Sequence, residues 1–212
     1  MAQDQVEPAP LASDDIVEGS VARSRARFIE IATALFRQCG VRSASVDDIV
    51  NLSGMSKPTF YRRFATKDDL VIACVVQESR RVRRELAALL GAVEATPVAR
   101  IRAIGGYYAA AFEAQPRRGL FALNLAVEYP DAEGEVGEAI ETEIRAMRHD
   151  LDIWLDVVEE PRRARVAAQL SLAILGAGAV CQVLSCAGES LREAVEAVVH
   201  DVIAGAERPA AI

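Results

Sequence analysis

Apolar residues recur every three or four positions along most of the chain, so the sequence reads as helix after helix, divided by capping residues and breakers. The first helix is expected from about Val21 to Cys39, where Phe28, Ile31, Ala32, Leu35 and Phe36 form one apolar stripe and Gly40 follows as a C-terminal cap. Ser45 opens a second helix: its hydroxyl can accept first-turn backbone N–H groups, and Asp48 three residues on completes a capping box. Val46, Ile49 and Val50 give that helix its apolar face, and Gly54 breaks it. Ser56 can cap a third, very short helix, with Lys57 and Pro58 in its first turn, where a missing N–H removes no bond. Thr66 caps a fourth, with Asp69 as its box partner, and Leu70, Val71, Cys74 and Val75 carry it toward Leu90.

The rest follows the same rhythm. Thr96-Pro97 opens a fifth helix that runs to about Ala114, and Gln115-Pro116 ends it. A sixth reaches about Glu128, before Tyr129-Pro130-Asp131, and a seventh covers about Glu135 to Val158. Pro161 opens an eighth, closed by Gly188, and a capping box of Ser190 and Glu193 opens a ninth that extends to about Gly205. No stretch alternates apolar and polar residues with the β-branched enrichment of strands, so the expected fold is all-α with nine helices. Residues Met1 to Gly19 lack an apolar stripe and are expected to form a disordered arm. Residues 20–66 then form one domain, and 67–212 a larger second one.

Charge changes this picture more than composition does. The net charge of −7 at first speaks against nucleic acid. Between Ser20 and Lys67, however, nine basic residues face only three acidic ones, a balance of +6 that leaves −13 on the remainder. A basic head on an acidic body suits a chain in which one module meets phosphates. Cys39, Cys74, Cys181 and Cys186 sit in apolar helical contexts with no C-x-x-C pair, which reads as buried free thiols. Val166 to Ala187 is apolar enough to raise a membrane span, but its Gln169, Ser171, Gln182 and Ser185 and its Ala and Gly content favour a buried core helix. The N-terminus carries no signal-peptide pattern, so a cytoplasmic location is expected.

The chemistry concentrates around Gly54. Two short helices about a turn form a helix-turn-helix, and the turn needs a positive φ that costs a residue with a β-carbon about 1 kcal/mol. The second short helix should turn Lys57, Thr59 and Tyr61 outward to base edges, phosphates or sugar, while Val50, Met55, Phe60 and Phe64 pack it down. Lys67, at the start of the fourth helix, should add a phosphate contact where backbone N–H groups already favour an anion.

The run Phe28 to Leu70 resembles the N-terminal domain of the TetR family of transcriptional regulators. The resemblance rests on Ala32, Leu35 and Phe36 in the first helix, Gly40, and Ser45-Val46-Asp47-Asp48-Ile49 in the second. It continues through Ser53-Gly54-Met55-Ser56 at the turn, Tyr61-Arg62-Arg63-Phe64, and Lys67-Asp68-Asp69-Leu70. Leu120 to Asp131 is similar to a segment found in some members. Three positions depart from the pattern: Val41 stands for the usual aromatic, Ser53 for the common Ala, and Pro58 where small residues are frequent.

The resemblance implies a repressor that binds a palindromic double-stranded DNA operator as a homodimer and is released by a small-molecule inducer. The DNA-binding residues it implies are Arg42, Ser43, Ser45, Ser56, Lys57, Pro58, Thr59, Tyr61, Arg62 and Lys67. It places an inducer among the fourth to eighth helices, with Tyr107, Tyr108, Phe112, Phe121, Leu125, Met147 and Trp154 as candidate lining. It places the dimer interface on the last two helices, at Leu172, Leu175, Gly178, Ala179, Val183, Val195 and Val199. No catalytic residue, metal or cofactor is expected, because the sequence has no nucleophile elbow, P-loop, dinucleotide fingerprint or metal-ligand cluster. Glu141, Glu143, His149, Asp150 and Asp152 read as a solvated face of the seventh helix, and His200 as a surface residue.

Overall fold

The computed structural model describes residues 13–114, 119–129, 134–182 and 187–206. Among them the elements are α1 (Ser13–Cys39), α2 (Val46–Ser53), α3 (Lys57–Tyr61), α4 (Lys67–Ala92), α5 (Pro97–Ala114), α6 (Phe121–Glu128), α7 (Glu135–Trp154), α8 (Arg162–Cys181) and α9 (Ala187–Ala206), with no strand. The fold is all-α, as the periodicity predicts.

The capped starts fall where the sequence puts them. The hydroxyl oxygens of Ser45 and Thr66 accept from the backbone N–H of Asp48 and Asp69, whose carboxylates accept from the cap N–H in return, so both capping boxes are complete. Four expectations need correction. The arm expected through Gly19 is helical from Ser13, because a helix nucleated on the Phe28 stripe propagates outward one hydrogen bond at a time at little cost. The seventh helix stops at Trp154, not Val158; Leu155 and Val158 keep the apolar spacing but lie buried in a tighter turn. Gly188 lies inside α9 and does not close α8. A β-carbon there would stand 2.8 Å from the Ala109 carbonyl oxygen, so this glycine serves close packing on α5. Ser190 therefore falls within α9 and is not its N-cap.

Two packed cores meet along α4. One gathers Phe28, Ile49, Phe60, Phe64 and the first turns of α4 with Phe121 and Leu125 of α6 and Val136 and Ile140 of α7. The other joins the far half of α4 to α5, α8, α9 and the end of α7. The packing of the N-terminal helices thus runs past Lys67 into α4, α6 and α7.

Helix α8 is long and apolar enough to cross a membrane by length and composition, yet Val166, Leu170, Ile174 and Cys181 are buried in the second core. Cys74 and Cys181 are buried, and burial pushes the Cys74 thiol up to about 12. Cys39 is exposed, contrary to expectation: it keeps the stripe's spacing but is the last residue of α1, and its thiol donates to Leu35 O. Cys186 lies outside the described residues.

Candidate nucleic-acid interface and cavity

The turn between α2 and α3 is built from its own side chains. Gly54 has φ +70° and donates its N–H to Asn51 O. The Ser53 hydroxyl donates to Val50 O (2.8 Å) and accepts from Met55 N–H (3.3 Å), so this departure from the family's Ala stitches the turn. Ser56 Oγ accepts from Thr59 N–H and lies 2.8 Å from Thr59 Oγ1. Beneath α3, Phe60 is fully buried and meets Phe28 edge-on at 5.3 Å. Arg63 Nε donates to Ser24 Oγ (2.8 Å), which ties the end of the motif to α1.

The outer face of α3 carries Lys57, Pro58 and Tyr61, with Arg62 just beyond it, all exposed. Tyr61 is 49% exposed, with its ring against the edge of Phe60. Lys57 Nζ lies 2.8 Å from Asp47 Oδ1 of α2, and that hydrogen bond raises its pKa, so it remains a cation. Both partners are more than half exposed, a pair that water and salt weaken and that a phosphate can replace. Arg62 Nη2 donates to Thr59 Oγ1 (3.1 Å), which leaves Thr59 partly engaged within the motif. Ser43 and Ser45 are exposed before α2.

Two of the named cations have other work. Lys67 Nζ donates to Val41 O, and Arg42 donates its backbone N–H to Glu128 Oε2 (2.8 Å) and Nε to Glu128 O (3.0 Å). Both link the stretch before α2 to the body of the molecule. Tyr129 OH adds a third link, donating to Asp68 Oδ1 at 2.9 Å. Glu128 and Tyr129 thus tie the end of α6 to the stretch before α2 and to the start of α4, within the Leu120 to Asp131 segment that the sequence singles out.

A cavity of about 70 Å³ lies between α4, α6 and α7, bordered also by Tyr108 of α5 and Leu175 of α8. Of the candidate lining residues, Tyr108, Phe121, Met147 and Trp154 border it. Tyr107, Phe112 and Leu125 do not border it. Tyr107 OH donates to Glu85 Oε2 (2.7 Å), and burial together with that bond raises its pKa. Phe112 and Leu125 are buried, one in each core. Among the lining residues the pattern missed are four charged ones, Glu78, Arg83, Glu143 and Asp150. Arg83 reaches from α4 to Glu143 (2.9 Å) and Asp150 (2.5 Å) of α7, and all three border the cavity. Glu143 and Asp150 are mostly buried, not part of a solvated face. The signal was present: Glu143, Met147, Asp150 and Trp154 recur as one helical stripe.

The expected dimer residues divide. Leu172 is 74% exposed, and Ala179 is exposed beside it on α8. Leu175 borders the cavity. Gly178 is buried under Leu120 and Leu123, and Val195 and Val199 are buried in the protomer's own core, Val195 against Gly105. All three pack within the protomer: Gly178 of α8 beneath the start of α6, and Val195 and Val199 on the buried side of α9, which meets α5. Val183 lies outside the described residues. Among the described residues no group of His, Cys, Asp or Glu side chains is placed to hold a metal ion.

The helix-turn-helix, its cations and the all-α body behind it define a helical transcriptional regulator, and comparison with known proteins narrows the class. Residues 28–74 match the family of bacterial regulatory proteins described as the tetR family. The HTH-type transcriptional repressor KstR2 of Mycobacterium tuberculosis is 35% identical over 57 residues, 27% of this chain and 28% of that relative. The match to this curated relative therefore spans little more than a quarter of its length. A TetR-family transcriptional regulator from Streptomyces coelicolor superposes with a TM-score of 0.75 at 27% identity, covering 85% of this chain and 96% of that one. A TetR regulator from Chloroflexus aurantiacus (TM-score 0.70, 23% identity, 87% and 96% covered) shares the fold. So does reduced NemR of E. coli (0.69, 19%, 84% and 96%). Its head thus matches the tetR family over residues 28–74, and most of its length has the fold of TetR-family regulators.

Proposed function

We propose that the protein is a repressor that binds a palindromic operator as a homodimer and lets go when a small molecule fills its cavity. The observation that carries this reading is α3, held down by Phe60 and presenting Lys57, Pro58 and Tyr61 to solvent on the basic part of an otherwise acidic chain. A short, rigid helix with exposed polar and aromatic groups suits the major groove, and the surrounding cations suit phosphates. Dimerisation through α8 and α9 sets two such helices roughly 34–36 Å or slightly more apart, one turn of DNA. Leu172 and Val180, exposed on α8, supply apolar area for that contact. The cavity supports the inducer role, because its wall Phe121 shares α6 with Glu128, which holds Arg42. Such a protein acts in the cytoplasm.

Operator selection from a random DNA pool, followed by fluorescence anisotropy across a salt series, tests the reading. Phosphate contacts released with their counterions make log K fall linearly with log salt, by about 0.9 for each phosphate neutralised. Selection of a palindrome and a slope corresponding to several phosphates are expected. A flat salt response, or a pool that yields no enriched sequence, overturns the proposal.

A further inference from the structure

The cavity's walls are apolar, but its charges do not cancel. It is bordered by three carboxylates, Glu78, Glu143 and Asp150, and by one cation, Arg83. Glu78 is satisfied from outside the cavity: Arg37 of α1 reaches it at 2.6 Å, and Arg81 pairs with it as well. Among the described residues Glu143 and Asp150 share Arg83 alone. One guanidinium between two mostly buried carboxylates leaves one negative charge without a counter-charge beside an apolar space. An uncompensated charge in such a place is costly, and a cation entering the cavity would relieve it. The aromatic residues suit the same guest, since Tyr108 and Trp154 border the cavity and aromatic rings attract cations and apolar bodies alike.

From this geometry we infer that the ligand of this cavity is an amphipathic organic cation: an amine, amidine or quaternary ammonium on an apolar or aromatic body. Its charged end sits by Glu143 and Asp150 and its body lies against Trp154, Met147 and Phe121. The inference rests on the proposed inducer role of the cavity and adds the charge of the guest. An anion would have to take Arg83 from its two carboxylates, and a neutral guest would leave the imbalance in place.

Trp154 is the protein's only tryptophan and borders the cavity, so its emission reports occupancy directly. The full-length protein is titrated with 4-phenylbutylamine, 4-phenylbutanol and 4-phenylbutyrate, which share one body and differ in charge, with operator anisotropy read in parallel. The amine is expected to bind at least about tenfold more tightly than the alcohol, and the butyrate most weakly. Glu143→Gln removes the unmatched charge while keeping a hydrogen-bond acceptor for Arg83, and should bring amine and alcohol within about twofold. Asp150→Asn serves the same purpose should the first variant fail to fold, as judged by its thermal midpoint. Alcohol or butyrate binding as tightly as the amine overturns the inference but leaves the cavity as a ligand site. An amine that shifts Trp154 emission without releasing operator overturns the inducer role and leaves the ligand class standing. If none of the three probes changes Trp154 emission, both readings fall.

Discussion

Tyr61 is where local chemistry and DNA recognition separate most cleanly. Its ring rests on Phe60 but is half exposed, so it contributes little to the core that Phe60, fully buried, anchors. Tyr61→Ala should therefore leave the thermal midpoint nearly unchanged while weakening operator binding on the order of tenfold, the scale of one lost base or backbone contact. Anisotropy beside a melting curve checks it, and equal affinity for both proteins would remove Tyr61 from the interface. Residues of this kind were readable in the sequence because their roles are local. A hydroxyl three positions before a carboxylate caps a helix in almost any context, so Ser45 with Asp48 and Thr66 with Asp69 could be named without coordinates. Ser53 could not. Its hydroxyl closes the turn by bonding backward to Val50 and forward to Met55, and a rule that ranks it as a small residue does not see this.

At the level of elements, the length and order of the helices follow from periodicity, but the way each helix is rotated does not. A stripe announces that one face is buried; it does not say whether the neighbour is another helix of the same chain or a second subunit. Val195 and Val199 carry such a stripe, and α5 covers it, because Gly105 lets the two helices approach closely. The adjacent pair Gly105 and Gly106 measures that approach. A β-carbon on Gly106 meets nothing within 4 Å, and alanine is the better helix former, so Gly106→Ala should stabilise the fold by about 0.5–1 kcal/mol. A β-carbon on Gly105 would stand 2.3 Å from Val195 Cγ2, a side chain stiff at χ1, so Gly105→Ala should destabilise by about 1–3 kcal/mol. Urea unfolding followed by circular dichroism, at one protein concentration for all variants, reads both values. The same sign for both substitutions would mean that α5 and α9 do not meet as closely as described.

On the scale of the whole molecule, one network joins the cavity to the DNA-binding end. Arg37 of α1 binds Glu78 and lies over the Phe121 ring at 5.2 Å, so a single guanidinium touches two cavity walls from the helix that carries Ser24 and its bond to Arg63. Glu128 and Tyr129 hold the same end through Arg42 and Asp68. None of these contacts was legible beforehand, since hydrogen bonds and ion pairs between residues 41 to 86 positions apart have no sequence spacing to betray them. A network of this kind affects operator binding only if the two heads are held at a fixed separation, and that requires a second subunit. The exposed face of α8 is where the chain offers one. Leu172 is 74% exposed and Val180 42%, on a helix whose opposite side is core. A large apolar side chain so exposed adds nothing to the protomer's own packing, so a charge there spares the fold and penalises only an interface that buries it. Leu172→Glu should keep full helicity and a near-native melting curve, run as a 22.8 kDa protomer in light scattering at micromolar concentration, and lose operator affinity by about a hundredfold or more as each head binds its half-site alone. A variant that remains dimeric at that concentration would move the interface off this face of α8.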